Sequence, residues 1–562
     1  MGNHGDDMFT IAELPTYSSP KPFTLGHDGS PGSSISRISK DAIVNIHDAR
    51  SSASQSSIGE KQNASRFSVQ EEAATLPSHG QKPKTSTSLG IRNNFGRCSN
   101  FIHEWTPCLL VNSYFVSSIF AYMLFPTKLL EVFWFIYNFT NFIIAASTAL
   151  EAFISMEPSR EARVAVTKAA EKGWKFPTPD DELLILDMVI VAYLPNEKDI
   201  IMDRINYACT KLEYPADKIR INIVYNTPVP ILPLEDEMWE AAAKYPQLRI
   251  IKVEGSTSKA DNLNYYLSLD TGSDITAVYD CDHYMHPHGP RWAIERFMKD
   301  KEKVDIVQGR CIVFNTGASF LTSLISIEFD KIYAVSHPGR ATIWGFGLFT
   351  GSNGFWRTPL LREMKMDETM LTEDIDSALR VVARGCNTVH DLNVVSYELA
   401  PTTFGAFWKQ RLRWAQGWAQ ASLKHSILTF NQAKQGKRIF TTRFGLLNLL
   451  LIRELSYYLV TQFACLVASF ILLNFPLTPA AFWKTIFFQY PISEWFFFVS
   501  IFCLIATLWI TNQVKSEYAS RWMIVKFSIA YPFYLLFLAT IGLFGHARQL
   551  VKYSSWNPTA RA

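Results

Sequence analysis

The chain has 562 residues, of which 48% are hydrophobic and 19% are charged, and its formal net charge is +3. A net charge this small does not indicate nucleic-acid binding. Residues 107–153 and 444–546 are dominated by Leu, Ile, Phe, Val and Ala, whereas residues 160–440 have the mixed composition of a soluble domain. This distribution excludes a wholly soluble protein and predicts an integral membrane protein with an inserted soluble domain.

Two membrane spans are expected before the soluble domain, within residues 105–155. A bilayer-crossing helix needs about 20 apolar residues, and residues 107–125 and 129–153 are each long enough. The loop expected after them is basic, and such loops face the cytosol. The preceding residues 1–104 are rich in Ser, Gly, Pro and Asn, which predicts a disordered tail. We therefore expect the tail and the soluble domain, residues 156–400, to lie in the cytosol.

The C-terminal apolar region predicts further spans at residues 444–474, 494–512 and 523–545. The first contains Arg453 and Glu454, each of which costs roughly 2.5–3.5 kcal/mol at the centre of a bilayer. Its first half is therefore expected at the interface or along a cavity inside the protein. Three crossings would leave the basic tail, residues 547–562, outside the cell. We expect one further crossing or a re-entrant segment that returns this tail to the cytosol.

Short apolar runs alternate with helix-like stretches across the soluble part. Strands are expected at residues 183–195, 219–227, 248–255 and 274–283, with helices at 197–212 and 258–269. This alternation predicts an α/β fold with a doubly wound, mostly parallel sheet, which binds ligands at the carboxyl ends of its strands. The eight cysteines contain no C-x-x-C pair, which favours buried thiols in a reducing compartment over disulfides or zinc ligands.

Two acidic residues end the last of these strands, in the segment DCDH. In an extended strand Asp280 and Asp282 point to the same face. Two carboxylates about 4 Å apart repel by ~1 kcal/mol in water and ~4 kcal/mol in a typical protein environment. A divalent cation removes that repulsion, and carboxylate oxygens suit Mg²⁺ or Mn²⁺. The alternative is a solvated pair of aspartates in a turn, which explains most isolated D-x-D sequences.

A second acidic group opens a predicted helix in the segment METMLTEDIDSALRVVARG. Thr372 is a good N-cap, and Glu373, Asp374 and Asp376 fall in the first turn, where the helix dipole favours anions. Capping explains much of this pattern. The glycines of the preceding stretch IWGFGLFTGSNGFWRTPLL also permit close backbone approach to a ligand. Asp374 is therefore a candidate general base.

The segment FWKQRLRWAQGWAQ, residues 407–420, crowds aromatic, basic and amide side chains beside the C-terminal apolar region. A basic, Trp-rich helix on a membrane surface uses such residues as interfacial anchors. We expect residues 401–443 to form amphipathic helices at the interface.

The segments SKADNLN, DCDH, TED and QRLRW occur in this order between two membrane clusters. This series resembles the motifs of the processive family 2 glycosyltransferases, which include cellulose, chitin and hyaluronan synthases. The resemblance covers roughly residues 105–560. Within this family the chain resembles the short type 2 glycosyltransferases of filamentous fungi. The fold implied is a GT-A-like, nucleotide-sugar-binding domain between transmembrane helices.

The resemblance implies roles for the acidic and basic motif residues. Lys259 would approach the nucleotide, and Asp280 would help to hold it. Asp282 would bind the metal, Mg²⁺ or Mn²⁺, that bridges the diphosphate. Asp374 would take the proton from the acceptor hydroxyl, and its motif neighbours would contact the substrate, namely Thr372 and Glu373.

The resemblance also implies a use for Gln410, Arg413 and Trp414, which match the family's Q-x-x-R-W signature. Arg413 would face the diphosphate, because a planar guanidinium suits phosphate. Trp414 would stack on the acceptor sugar, because a flat indole suits the face of a sugar ring.

Two segments depart from the family pattern. The family usually has Asp-Asp-Gly after the second strand, whereas this chain has Tyr225, Asn226 and Thr227; Asn226 can hydrogen-bond the uracil or ribose but carries no charge. The usual Tyr-Asn-Glu appears as AYLPNE, which leaves Tyr193 and Glu197 as candidate substrate contacts. Four further residues are more typical of packing or surface than of a site: Glu328, Trp344, Arg357 and Trp408.

The function favoured is a membrane-embedded, inverting glycosyltransferase that polymerises sugar from a UDP-sugar donor onto a growing polysaccharide. It would extrude the product to the cell surface or cell wall, as in hyphal growth, from a multi-pass position in the plasma membrane. One alternative is a non-processive glycosyltransferase that acts on a membrane lipid. The other is a catalytically inactive membrane scaffold, suggested by the missing Asp-Asp-Gly.

Overall fold

A computed structural model describes the backbone of residues 88–299, 304–431 and 439–552, with side chains from residue 105 onward in those ranges. Most of the predicted N-terminal tail therefore lies outside the described residues. The same holds for residues 553–562 of the predicted C-terminal tail.

The described chain has long apolar helices at its two ends and an α/β domain between them. In chain order the α-helices are α1 Ser88–Leu124, α2 Thr127–Glu171, α3 Leu194–Glu197, α4 Ile201–Lys211, α5 Leu234–Lys244, α6 Lys259–Ser268, α7 Gly289–Lys299, α8 Phe320–Asp330, α9 His337–Trp344, α10 Thr358–Met364, α11 Glu373–Arg384, α12 Phe404–His425, α13 Phe440–Leu447, α14 Arg453–Asn474, α15 Pro479–Phe487, α16 Ile492–Val514 and α17 Arg521–Leu550. The strands are β1 Leu186–Tyr193, β2 Ile219–Asn226, β3 Leu248–Lys252, β4 Ile275–Asp280, β5 His283–Met285, β6 Ile306–Val313, β7 Gly354–Arg357 and β8 Thr388–Glu398.

Five helical segments within the described residues are long and apolar enough to cross a membrane: Trp105–Leu124, Thr127–Glu171, Phe440–Asn474, Ile492–Val514 and Arg521–Leu550. The second segment is α2, which has 45 residues. Its length is about 67 Å at 1.5 Å per residue, roughly twice the hydrocarbon core of a bilayer. The basic stretch after residue 155 was expected to be a loop, and this prediction is wrong, because the helix continues through it to Glu171.

The third candidate span is not one uninterrupted α-helix. A π-helical segment, Asn448–Ile452, joins α13 to α14, and Arg453 follows it directly. The guanidinium of Arg453 lies over the ring of Trp418 and lines a cavity inside the protein. This agrees with one of the two positions expected for the segment, along a cavity and not at the interface. The short helix α15 lies between α14 and α16 and has nine residues, fewer than a bilayer crossing needs.

The soluble domain contains an eight-stranded mixed sheet of order β3-β2-β1-β4-β7-β6-β8-β5. The four strands on one side, β3-β2-β1-β4, are parallel to one another. β7 is antiparallel to both of its neighbours, β6 and β8 are parallel, and β5 pairs antiparallel with β8. Parallel pairings are thus four of seven, and the expected α/β class is confirmed.

Both faces of the sheet are covered by helices, which explains the nearly unbroken apolar run of β1. Met188, Ile190 and Ala192 of β1 pack in one core cluster, which includes apolar residues of α4, α5 and α7. The alternate residues, Val189 and Val191, pack in a second cluster with α6 and α11. The sheet is therefore doubly wound.

The predicted strand over DITAVYDCDH is two strands. β4 ends at Asp280, β5 begins at His283, and Asp282 lies in the turn between them. Strand alternation therefore does not orient Asp282, and that argument for two like-facing carboxylates is wrong. Asp280 nevertheless ends its strand beside the ends of β1 and β2, where Tyr193 pairs with Asn226. These carboxyl ends open onto a cavity.

Candidate active site

A cavity of about 520 Å³ extends from the carboxyl ends of the strands towards α14 and α17. These helices belong to the segments that are long and apolar enough to cross a membrane, and such helices are called membrane-type helices below. All twelve candidate residues from the sequence line it: Tyr193, Glu197, Asn226, Lys259, Asp280, Asp282, Thr372, Glu373, Asp374, Gln410, Arg413 and Trp414. The opposite wall includes residues of α14 and α17, among them Arg453, Tyr457 and Leu538.

Lys259 is the first residue of α6, whose start is fixed by Ser258. The Ser258 hydroxyl accepts a hydrogen bond from the Asp261 backbone N–H. The Lys259 ammonium lies 2.6 Å from Asp280 Oδ1 and donates to the carbonyl oxygen of Gly351 at 2.7 Å. Burial disfavours the ammonium, but Asp280 and Glu373 outweigh it and raise the pKa of Lys259. The lysine is therefore a fixed positive charge at the strand ends.

Asp374 lies in the first turn of α11, close to the glycine-rich stretch. Burial and the neighbouring carboxylate of Glu373 raise the pKa of Asp374 to about 7, although Lys259 and Arg413 act in the opposite direction. Gly351 has φ +94°, and a Cβ there would lie 2.8 Å from Asp374 Oδ2. A glycine was expected to admit a ligand, but at this position it admits the carboxylate. Gly351 is thus a site residue that the sequence did not single out.

Thr372 takes the N-cap position of α11 as predicted, but its side chain makes no capping hydrogen bond. The expectation of a hydroxyl cap is wrong. The side chain packs instead against α12, where a Cβ on Gly417 would lie 2.5 Å from Thr372 Cγ2. This glycine lets the start of α11 and the middle of α12 approach each other.

Asp376 joins α11 to the end of α12. Its carboxylate is fully buried and accepts hydrogen bonds from Arg380 at 2.8 Å and His425 at 2.7 Å, with Lys424 at 2.8 Å. Burial opposes ionisation, but these partners, His425 foremost, hold the pKa of Asp376 below its usual range. The sequence had given Asp376 only a helix-dipole role. Its distant partners, almost fifty residues away, leave no local signal.

α12 contributes the aromatic and basic side of the cavity. Gln410 is buried, and Arg413 Nη1 lies 3.5 Å from the carbonyl oxygen of Leu371, just before the Asp374 helix. The guanidinium of Arg411 lies 4.4 Å from the centroid of Trp414 and donates to Glu328 at 2.6 Å. Glu328 also lines the cavity. Its ion pair with Arg411 and its hydrogen bond from the Tyr534 hydroxyl are packing contacts of the kind that was predicted for it.

The acidic turn after β4 has a donor set that fits a divalent cation. Asp280, Asp282 and His283 each place one ligand atom within 4.8 Å of the others'. Two carboxylates and an imidazole suit Mn²⁺, and the carboxylates suit Mg²⁺. Both nitrogens of the His283 ring also have protein partners, since Nδ1 lies 3.0 Å from the Ser396 hydroxyl and Nε2 lies 3.4 Å from Glu398 Oε2.

The end of the cavity beside β1 and β2 contains the residues that depart from the family pattern. Asn226 Oδ1 accepts a hydrogen bond from Asn262 at 2.8 Å, and its Nδ2 donates to the Ser256 carbonyl at 2.9 Å. The Asn226 amide is thereby held by the protein, and it retains one acceptor lone pair for a ligand. Glu197 is buried nearby and accepts from Asn196 at 3.0 Å.

Residues 275–541 match the family model described as Glycosyl transferase family group 2. Over 244 residues the chain is 28% identical to the probable glucomannan 4-beta-mannosyltransferase 7 of Oryza sativa subsp. japonica. This match covers 41% of this chain and 40% of that protein. It is 25% identical over 259 residues to the probable glycosyltransferase YdaM of Bacillus subtilis (strain 168), with 45% and 60% covered. These matches show that residues 275–541 are similar to glycosyltransferases of the family 2 group and support the expected enzyme class.

A solved structure also resembles the chain, with a TM-score of 0.42 and 16% identity. It is the mannosyltransferase PcManGT from Pyrobaculum calidifontis in complex with GDP-Man and Mn²⁺, and the match covers 66% of this chain and 100% of that chain. The chain spans about half the length of the curated relatives that it matches.

Proposed function

We propose that the chain is a membrane-embedded, inverting glycosyltransferase that adds sugars from a nucleoside-diphosphate donor to the end of a growing polysaccharide. The observation that carries this proposal is the continuity of one cavity. It begins at the Lys259–Asp280 pair and Asp374 and ends among α14 and α17, at Arg453 and Leu538. A product formed at the first end would already lie at the entrance to the membrane helices.

The transfer step follows from the side chains around Asp374. The acceptor hydroxyl attacks the anomeric carbon, Asp374 takes its proton, and the bond to the diphosphate oxygen breaks as the nucleoside diphosphate leaves. A base with a pKa of about 7 is well matched to this task near neutral pH. The positive charges of Lys259 and Arg413 act on this carboxyl group and lower its pKa. We assign these two cations to the leaving diphosphate.

Asp282 and His283, with Asp280, would hold Mg²⁺ or Mn²⁺ at the turn after β4. When bound, the cation would neutralise charge on the diphosphate. Asp280 would keep its second role as the partner of Lys259.

The donor is proposed to be a UDP-sugar, with GDP-mannose as the main competitor. The names of the rice relative and of the Pyrobaculum protein specify mannosyl transfer. At the end of the cavity that we assign to the base, Asn226 stands where the family pattern has a carboxylate, and the Glu197 carboxylate lines the same cavity.

A second candidate function is transfer to a membrane lipid. The cavity wall between α14 and α17 is largely apolar, with Val460, Leu535 and Ile541 among its residues, and such a wall accommodates an acyl chain. A processive enzyme and a lipid glycosyltransferase differ in product size, so the product decides between them.

The test uses purified full-length chain in detergent, with UDP-glucose, UDP-N-acetylglucosamine and GDP-mannose offered in turn. Wild type is expected to release nucleotide from one donor and to make a high-molecular-weight product. Arg413→Ala should lose both activities, whereas Trp414→Ala should retain slow donor hydrolysis and make little polymer. A product soluble only in organic solvent would favour the lipid function. Nucleotide release from none of the donors would support an inactive scaffold.

The cellular setting is part of the same proposal. We place the protein in the plasma membrane, with the α/β domain in the cytosol and the polymer exported to the cell surface or cell wall, as expected for a role in hyphal growth. None of the seven cysteines in the described residues forms a disulfide, which supports a reducing environment. Protease protection of the α/β domain in sealed, right-side-out cells tests this orientation.

A further inference from the structure

Three metal-ligating side chains lie on neighbouring strands at the edge of the sheet opposite β3. The strands β6, β8 and β5 follow one another in that order. His283 of β5 is paired with Glu398 of β8, and Cys311 of β6 is paired with Ser396 of β8. Ser396 and Glu398 are two residues apart on one strand, so they point to the same face, as do their paired residues. The strand register therefore brings an imidazole, a thiol and a carboxylate to one side of the sheet.

These three side chains approach one another as closely as ligands of one cation do. One ligand atom from each lies within 4.8 Å of the others'. His283 Nε2 is 3.4 Å from Glu398 Oε2, which is close to the separation of about 3.3–3.5 Å between nitrogen and oxygen ligands of a tetrahedral Zn²⁺. His283 and Cys311 are buried, and the Glu398 side chain is 15% exposed. The cluster is thus held by paired strands and largely shielded from water.

The hydrogen bonds of Ser396 determine which nitrogen of a neutral His283 carries the proton. The Ser396 hydroxyl donates to Cys311 Sγ at 3.6 Å, and its oxygen lies 3.0 Å from His283 Nδ1. Because the single hydroxyl proton is directed at the sulfur, the oxygen accepts from Nδ1–H. The neutral ring then has its lone pair on Nε2, opposite the Glu398 carboxylate at 3.4 Å. Two acceptors in this position repel unless a proton or a metal cation lies between them.

The donor set favours zinc over the cations proposed for the neighbouring turn. A thiolate sulfur suits Zn²⁺, whereas Mg²⁺ prefers oxygen ligands. A thiolate, a carboxylate and a neutral imidazole together balance the charge of Zn²⁺, which suits a buried position. His283 and Glu398 also line the cavity. The cavity gives a cation an entry path and gives water access to the fourth coordination position.

We propose that His283, Cys311 and Glu398 form a zinc site that differs in chemistry from the turn with Asp280 and Asp282. The inference goes beyond the proposed glycosyl transfer and does not depend on it. His283 also belongs to the ligand set of that turn, and one ring nitrogen binds only one cation. Zinc bound here therefore leaves the turn with its two aspartates, and it links β5 to β6 across β8.

The test is a Co²⁺ titration of the purified full chain, freed of metal, kept reduced and without an affinity tag. Co²⁺ occupies zinc sites, and a thiolate ligand gives it a charge-transfer absorption in the near ultraviolet. Wild type should show this absorption with a single equivalent of Co²⁺ and lose it when Zn²⁺ is added. Cys311→Ser should not show the absorption. Two controls should show it as wild type does: Cys386→Ser, which replaces a partly buried thiol elsewhere, and Asp282→Asn, which alters the turn.

Glu398→Gln is the second variant, because replacement of the buried Cys311 can disturb the fold. It retains the thiol, so it should keep the absorption. It should lower the affinity for Zn²⁺ by at least about tenfold, since the loss of a group behind a metal ligand already costs about 10- to 100-fold.

The site would be overturned by a wild type without the absorption, or by a Cys311→Ser variant that keeps it. Unchanged zinc affinity in Glu398→Gln would overturn it as well and would assign the contact of Glu398 with His283 to a proton shared between them. The proposed function fails on a different result, namely no nucleotide release by wild type from any donor.

Discussion

The two ends of the cavity are constructed differently. At the carboxyl ends of the strands, the register of β1 and β2 fixes Tyr193 beside Asn226, and Lys259 forms an ion pair with Asp280. At the membrane side, Trp414 and its neighbours depend on contacts between helices far apart in sequence. The proposed donor end is thus set by the sheet, and the proposed acceptor end by helix packing.

The packing at the acceptor end depends on small residues that bring helices together. A Cβ on Gly545 of α17 would lie 2.8 Å from the Ala415 Cβ of α12, and Gly417 admits Thr372 of α11. α12 is therefore held between α11, which carries the proposed base Asp374, and α17, which a surface anchor alone does not require. Substitutions at the donor end should therefore impair chemistry in a protein that still folds. Those at the acceptor end should impair geometry and stability together.

The largest effect is expected at the chemical end. Asp374→Asn removes the proposed base and should lower turnover by about 10²- to 10⁴-fold, the usual contribution of general base catalysis. The melting temperature should change little, because the amide has the same shape. Nucleotide release by purified protein measures the effect. Asp236→Asn, at an exposed position on α5, is the control and should retain wild-type turnover. Comparable turnover in the two variants would contradict the assignment.

The next largest effect is expected at the contact between α11 and α12 around Asp376, which is called the α11–α12 joint below. Asp376→Asn leaves Arg380, Lys424 and His425 around a neutral group and should destabilise the fold by about 3–5 kcal/mol, as for a broken buried ion pair. Differential scanning fluorimetry of the detergent-solubilised protein measures the loss. Glu157→Gln, which breaks an ion pair between the exposed side chains of Glu157 and Arg160, should leave the melting temperature nearly unchanged. Equal melting temperatures for both variants would show that the joint is not important for stability.

The difference between the two ends also explains what the sequence predicted. The positions of β1, β2 and β4 were predictable, because each is an apolar run buried on both faces. The break after β4 was not, since Cys281 and Asp282 continue an alternation that looks extended. β7 was also missed, because four residues inside a glycine-rich stretch carry no periodic signal.

The candidate site shows the same division. Motif residues were predictable one by one, and they do line a single cavity. The contacts that orient them were not, because they join segments distant in sequence: Gly351 with Asp374, Asp376 with His425, and Arg453 with Trp418. Close approach of this kind depends on the absence of a side chain or on a long-range ion pair, and neither has a local pattern.

A moderate effect is expected at Gly351. Gly351→Ala adds a Cβ that would press on the Asp374 carboxylate and strains a residue at φ +94°. We expect a loss of turnover of about 10- to 100-fold, because a displacement of about 1 Å can cost that much in catalysis. Gly272→Ala is the control, since it has φ +65° but no atom within 4 Å of the added Cβ. A similar loss in both would assign the effect to backbone strain and not to the displaced base.

The smallest effect, a shift in pH dependence, tests whether the neighbours of Asp374 set its proton affinity. Because the pKa of Asp374 is raised to about 7, the protonated form dominates below neutral pH and cannot accept the acceptor proton. The value of kcat/KM for the donor, which reports groups of the free enzyme, should therefore fall as pH drops through about 7. Glu373 raises this pKa by its negative charge, so Glu373→Gln should move the acid limb to lower pH. A limb that stays in place in Glu373→Gln would assign the titration to another group, and an acid limb absent between pH 5 and 8, the window in which such a base titrates, would remove Asp374 as the base.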